Sequence, residues 1–235
     1  PPESLGLPAN SVQAVLSPHI DYQRGGETYA WAYKALKEHG TGARRFIILG
    51  TNHRPSQTRF IATSKDYDTP FGTVETDKEL LEELEKEFGG SLTDEEYAHA
   101  DEHTVELQAT YLKHVFGDED IKIVPILVGG FEEFLQTGKN PAEQEDIQKF
   151  CEALRTILDR HGDEVALIGG VDFSHCGPEF GQEQENDENR EKEIEQCDRA
   201  TLDVIEKGEP NEFFERFRPD TNATNVCSIA PMYVV

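Results

Sequence analysis

Two hydrophobic rhythms alternate along this chain. Near-continuous apolar runs at residues 12–17 (VQAVLS), 45–50 (RFIILG), 121–128 (IKIVPILV) and 165–173 (VALIGGVDF) predict buried strands, with a shorter one at 60–62. Between them, apolar residues recur at helical spacing. The stretch 26–39 carries Tyr29, Ala32, Tyr33 and Leu36 on one face, and 77–88 (DKELLEELEKEF) is acidic and amphipathic, ended by Gly89-Gly90. Residues 103–116 predict a further helix, as do residues 142–161, where Ile147, Phe150, Leu154, Ile157 and Leu158 keep the period. Residues 66–72 are rich in turn formers. The polar stretch 181–198 predicts an exposed loop that becomes helical around Ile194, Cys197, Thr201 and Ile205. Strand and helix in alternation is the pattern of a mostly parallel sheet covered by helices. No linker interrupts it, so the expectation is a single α/β domain over residues 1–235.

Composition adds a core and removes some partners. Leu, Ile, Val and Phe make up 56 of 235 residues, enough to fold despite the charge. Acidic residues outnumber basic ones 47 to 22, a net charge of −25. Phosphate backbones and anionic lipid repel such a surface, so no nucleic-acid partner and no membrane partner are expected. No apolar run approaches the roughly 18 residues of a membrane span. The four cysteines form no CxxC pair, which suits a reducing compartment, and a cytoplasmic location is expected.

The candidate chemistry lies where strands end, which is where open α/β sheets bind ligands. The first strand runs into SPHIDYQRGG, placing His19 and Asp21 just beyond it. The second runs into LGTNHRPS, with His53 three residues past Gly50, and the last into GGVDFSHCG, with Asp172, His175 and Cys176. Two neutral imidazoles and one anionic ligand suffice to hold a metal with positions left open. From spacing alone the anion is Asp21, Asp172, Glu106 or a thiolate. Cys227 follows a polar turn (221–226, TNATNV) and is expected at a helix start, where the dipole favours thiolate.

These segments resemble motifs of the Memo family, also called AmmeMemoRadiSam system protein B, which is related in fold to class III extradiol dioxygenases. Pro18-His19-Ile20-Asp21-Tyr22-Gln23-Arg24-Gly25-Gly26 resembles PHxxYxxSG, and Leu49-Gly50-Thr51-Asn52-His53-Arg54 resembles LGxSHH with Arg for the second His. Residues 102–112 (EHTVELQATYL) resemble EHSxExQLPYL, residues 170–177 (GVDFSHCG) resemble SSDFSHxG, and residues 227–232 (CSIAPM) resemble CGxxPI. The resemblance implies a dioxygenase-like fold and a chain truncated at its C-terminal end. It implies a metal trio of His19, His53 and Cys227, with His175 lining the same pocket as a catalytic proton carrier. Asp172 and the pair His103 and Glu106 would form the surrounding polar shell, with Asp21 beside them.

Iron or copper is the favoured cofactor and zinc the remaining option, because cysteine stands where the dioxygenases have a carboxylate. Two functions follow: a metal-dependent oxidoreductase, or a non-catalytic scaffold that uses the pocket for a peptide or for a radical-SAM partner protein. Cys151 and Cys197 are expected in the core and Cys176 packed near the pocket. His39, His99, His114 and His161 are expected at helix ends or on the surface. Tyr22 and Trp31 are expected to pack in the core, with the pocket wall as the alternative.

Overall fold

The computed structural model describes residues 4–218 and 224–235. Its strands are β1 (Ala14–Ser17), β2 (Arg45–Asn52), β3 (Phe60–Ala62), β4 (Tyr67–Thr69), β5 (Gly72–Thr76), β6 (Lys122–Gly129) and β7 (Val165–Gly170). The α-helices are α1 (Tyr22–His39), α2 (Lys78–Phe88), α3 (Thr104–Phe116), α4 (Glu132–Thr137), α5 (Glu145–His161), α6 (Glu188–Lys207), α7 (Pro210–Glu215) and α8 (Ile229–Val234). They form a mixed, mostly parallel sheet in the order β1-β7-β2-β6-β5-β4, with β3 antiparallel on β6.

Alternation along the strands builds the layers. Ile47 and Leu49 of β2, Val165 and Leu167 of β7, and Val124 and Ile126 of β6 face a core with α2, α5, α7 and α8. Their neighbours Phe46, Ile48, Ala166, Ile168 and Ile123 face the other core, with α1 and α3. A strand buried on both faces reads as an unbroken apolar run, and that is why these strands were visible in the sequence.

Register fixes the site. Ser17 of β1 pairs with Gly170 of β7, and Gly170 with Gly50 of β2, so β1, β7 and the β2–β7 ladder finish on one line while β2 runs on to Asn52 beside β6. His19, Asp172 and His53 each follow within three residues of that line. Small residues there let α3 approach. A Cβ on Gly50 would overlap Thr104 Oγ1 and stand 2.8 Å from Val105 Cγ2, and one on Gly170 would stand 3.0 Å from the Thr104 carbonyl oxygen.

Several element boundaries differ from expectation. α1 begins at Tyr22 rather than residue 26, because the Asp21 carboxylate accepts hydrogen bonds from the Gln23 and Arg24 amides and caps it. The turn-rich segment 66–72 contains β4 and leads into β5, a hairpin whose register pairs Tyr67 with Val74. α6 begins at Glu188, six residues before the expected onset of helix at Ile194, with Asp187 as its cap. Its polar start hid it: only Thr201 and Val204 are buried. β7 stops at Gly170, which frees residues 171–177 to turn into the site.

Candidate metal centre

His19 leaves β1 and is 2 % exposed. Its Nδ1 lies 3.0 Å from the Gly170 carbonyl oxygen. A carbonyl accepts only, so Nδ1 carries a hydrogen, and in the neutral ring that an ion requires Nε2 keeps the lone pair. That Nε2 stands 3.5 Å from Cys227 Sγ and 3.6 Å from Asp172 Oδ2. The Asp172 carboxylate also accepts from the His19 amide at 2.9 Å, which holds the turn after β1.

His53 is fixed in the same way by a different acceptor. Its Nδ1 is 3.1 Å from Glu102 Oε2, and its amide donates to the same oxygen at 2.8 Å. Nε2 is then free to face Cys227. The ligand atoms of His19, His53 and Cys227 all lie within 4.8 Å of one another. The His19 and His53 rings meet edge to face with centroids 5.2 Å apart.

Cys227 sits just before α8, held by its neighbour. The Ser228 hydroxyl, fully buried, accepts from the Asp172 amide at 2.9 Å and from Thr51 Oγ1 at 3.0 Å. Its own hydrogen is left for Cys227 Sγ, 3.3 Å away. Burial alone would push the thiol up, but hydrogen bonds from His19 and His53 outweigh it and bring Cys227 down to about 6. Reciprocally, Cys227 first and Glu102 second raise His53 to about 10, and His19 is raised against the opposing effect of burial.

Donor chemistry and spacing fit an ion. Zn–N bonds of about 2.0–2.1 Å and Zn–S bonds of about 2.3 Å at a tetrahedral angle place N and S roughly 3.5 Å apart. The separation of His19 Nε2 from Cys227 Sγ is 3.5 Å.

The remaining expected residues divide. Asp172 lies between the rings: its Oδ2 is also 3.9 Å from His175 Nε2, while His175 Nδ1 is 3.0 Å from the Phe173 carbonyl. His103 stacks on His53 at 5.4 Å and meets His19 edge to face at 5.8 Å. Asp21 is a correction. Its carboxylate caps α1 and pairs with Arg24 at 2.6 Å in solvent, so it takes no part in the cluster. Glu106 is exposed, and its carboxylate is not among the donors that converge with His19, His53 and Cys227. The carboxylate that serves the histidines is Glu102, which precedes the helix and is 5 % exposed. Sequence reasoning sought an acid on the helix face and passed over it; the adjacent pair Glu102-His103 was the available signal.

Other expectations also change. Cys197 is exposed instead of core, whereas Cys151 packs against the core and Cys176 is buried. Trp31 is 42 % exposed and lines no part of the cluster, and Tyr22 donates to the Leu107 carbonyl at 2.7 Å. His99 bridges the Tyr67 hydroxyl and the Ile61 carbonyl, and His161 bridges Glu83 and Arg45, so both are structural joints. Residues 221–223 of the polar turn lie outside the described residues. A groove of about 1000 Å³ runs between β1, α5 and α7, lined by Leu16, Cys151, Val204 and Phe213, but it contains none of the clustered donors. No described helix is long and apolar enough to cross a membrane.

Comparison with known proteins gives one consistent match. The family model described as "Memo-like protein" covers residues 2–235. A "MEMO1 family protein" of Aquifex aeolicus is 26 % identical over 91 % of this chain and 51 % of its own length. "MEMO1 family protein PAE0818" of Pyrobaculum aerophilum is 32 % identical over 75 % of this chain and 59 % of its own length. "MEMO1 family protein MK0963" of Methanopyrus kandleri is 30 % identical over 84 % and 65 %. The chain thus spans between about half and two-thirds of the length of these relatives.

Proposed function

The chain belongs to the Memo family, and from that premise we propose that His19, His53 and Cys227 hold one metal ion at the centre of a metal-dependent oxidoreductase. Two imidazoles and one thiolate suit iron or copper best and zinc next. When bound, the ion supplies Lewis acidity and, for iron or copper, one-electron chemistry. The protein supplies the rest. Gly170 and Glu102 hold the two Nδ1–H groups, so both Nε2 lone pairs stay directed inward. Ser228 holds the sulfur and Asp172 together. His175 donates Nδ1–H to the Phe173 carbonyl, leaving Nε2, 3.9 Å from Asp172 Oδ2, to take or return a proton at a substrate oxygen.

The observation that carries this reading is the convergence of three ligand atoms within 4.8 Å from residues up to 208 positions apart. Elemental analysis of protein purified without added metal tests it. The wild type should carry close to one equivalent and His53→Ala far less; equal content removes the reading. Oxygen uptake with a catechol tests the redox half. An ion that stays bound with no uptake would favour the scaffold function instead.

A further inference from the structure

Glu102 bonds to more than the metal-facing ring. Its Oε1 lies 3.1 Å from His103 Nδ1 and accepts the His103 amide at 2.9 Å, while Oε2 takes the His53 amide and Nδ1. One carboxylate, its side chain 2 % exposed, therefore serves two imidazoles at once. The rings are parallel to within 5° at 5.4 Å. With both Nδ1 atoms on the same acceptor, each Nε2 stands on the far side of its ring from Glu102, and the His103 ring meets that of His19 edge to face at 5.8 Å. His53 is turned to Cys227, whereas His103 stands outside the trio and its side chain is 55 % exposed.

We propose that Glu102 is the positioning residue of this site, orienting His53 for the ion and His103 as an exposed hydrogen-bond acceptor at its mouth. A neutral imidazole whose Nδ1–H is donated inward offers only a lone pair at Nε2. The group such a lone pair suits is a ligand hydroxyl. The inference rests on the reading of His53 as a metal ligand, and carboxylates placed behind ligating histidines typically contribute tenfold to hundredfold in metal affinity.

Nuclear magnetic resonance and zinc titration separate the possibilities. In metal-free wild type, two ring N–H protons bonded to Glu102 should resonate far downfield, and Glu102→Gln should shift or remove both. Zinc affinity should fall roughly tenfold to hundredfold in Glu102→Gln and stay within about twofold in His103→Ala. Phenol should bind the zinc-loaded wild type and weaken about tenfold in His103→Ala, with its methyl ether unaffected. Unchanged ring protons, unchanged zinc affinity in Glu102→Gln, or equal phenol binding in His103→Ala each overturn the inference. Wild type that takes up no zinc, iron or copper instead overturns the metal reading itself, at the first step. Should Glu102→Gln fail to fold, wild type lacking the two downfield protons would be refutation enough.

Discussion

Gly50→Ala probes how closely α3 must press on the sheet to build the site. The added methyl would overlap Thr104 Oγ1 and lie 2.8 Å from Val105 Cγ2 and 3.1 Å from Thr104 Cβ, where ordinary contacts begin at 3.4 Å. Both neighbours are essentially unexposed, so the start of α3 must retreat by more than half an ångström. Overpacking of this kind costs about 1–3 kcal/mol. Thr104 Oγ1 also donates to the Thr51 carbonyl at 2.9 Å, and losing that bond in a buried place adds about 1 kcal/mol. The expected loss is therefore roughly 2–4 kcal/mol, read as a lower urea midpoint at unchanged slope. Metal affinity should fall with it, since Glu102 and His103 sit directly before α3. Gly26→Ala is the control: its nearest neighbour would be 4.0 Å away inside α1, and helical propensity should raise stability by about 0.5–1 kcal/mol. A Gly50→Ala protein within about 0.5 kcal/mol of wild type would refute the argument that this glycine sets the approach of α3.

Asp77 caps α2 and meets Arg45 through both oxygens, at 2.5 and 3.1 Å, so Asp77→Ala should lose roughly 2–4 kcal/mol at neutral pH. Burial pushes this carboxyl up, yet Arg45 and the Leu80 amide hold it below its ordinary 3.8; the stabilisation is full above that value and fades as pH falls through the lower folded one. The gap between the urea midpoints of the two proteins should narrow as pH falls below 3.8, and a gap of the same size at every pH down to strong acid would count against the pairing. Metal affinity should drop between about pH 8 and 5, about tenfold per pH unit while only the His53 proton is displaced, and more steeply once His19, which is also raised, and below about 6 Cys227 take up protons as well. Calorimetric titration giving a flat profile would assign binding to carboxylates instead. At neutral pH iodoacetamide should modify Cys227 and exposed Cys197 well before Cys151 and Cys176, whose thiols burial pushes up, and zinc should protect Cys227 alone. Early labelling of Cys151 would contradict that order, as mass spectrometry would show.

Legibility in the sequence followed burial. β2, β6 and β7 are buried on both faces, and their apolar runs announced them. His19 and His53 drew attention because each stands in turn residues beyond such a run, whereas Cys227 was picked out from the other candidate anions by the family resemblance. Position relative to a helix was harder to read. Gly25 and Gly26 obscured the first turn of α1, so Asp21 looked like a pocket acid when it is a cap. Glu106 lies on the helical face that spacing arguments favour, whereas Glu102 occupies extended backbone before α3, where periodicity says nothing. The start of α6 escaped because its exposed first half has no apolar stripe to betray it, although its later turns around Thr201 and Ile205 were read as helix.

His19 hangs from the outermost strand of the sheet. β1 has four residues, and among the described residues it ladders with β7 alone. Such hems are where a native protein frays first. Cys227 is 208 residues further along, so an ion gripping both would fasten that hem across nearly the whole chain. Removing the ion should then loosen the rim long before the middle, with β1 amides exchanging with solvent while those of β2 and β6 stay protected.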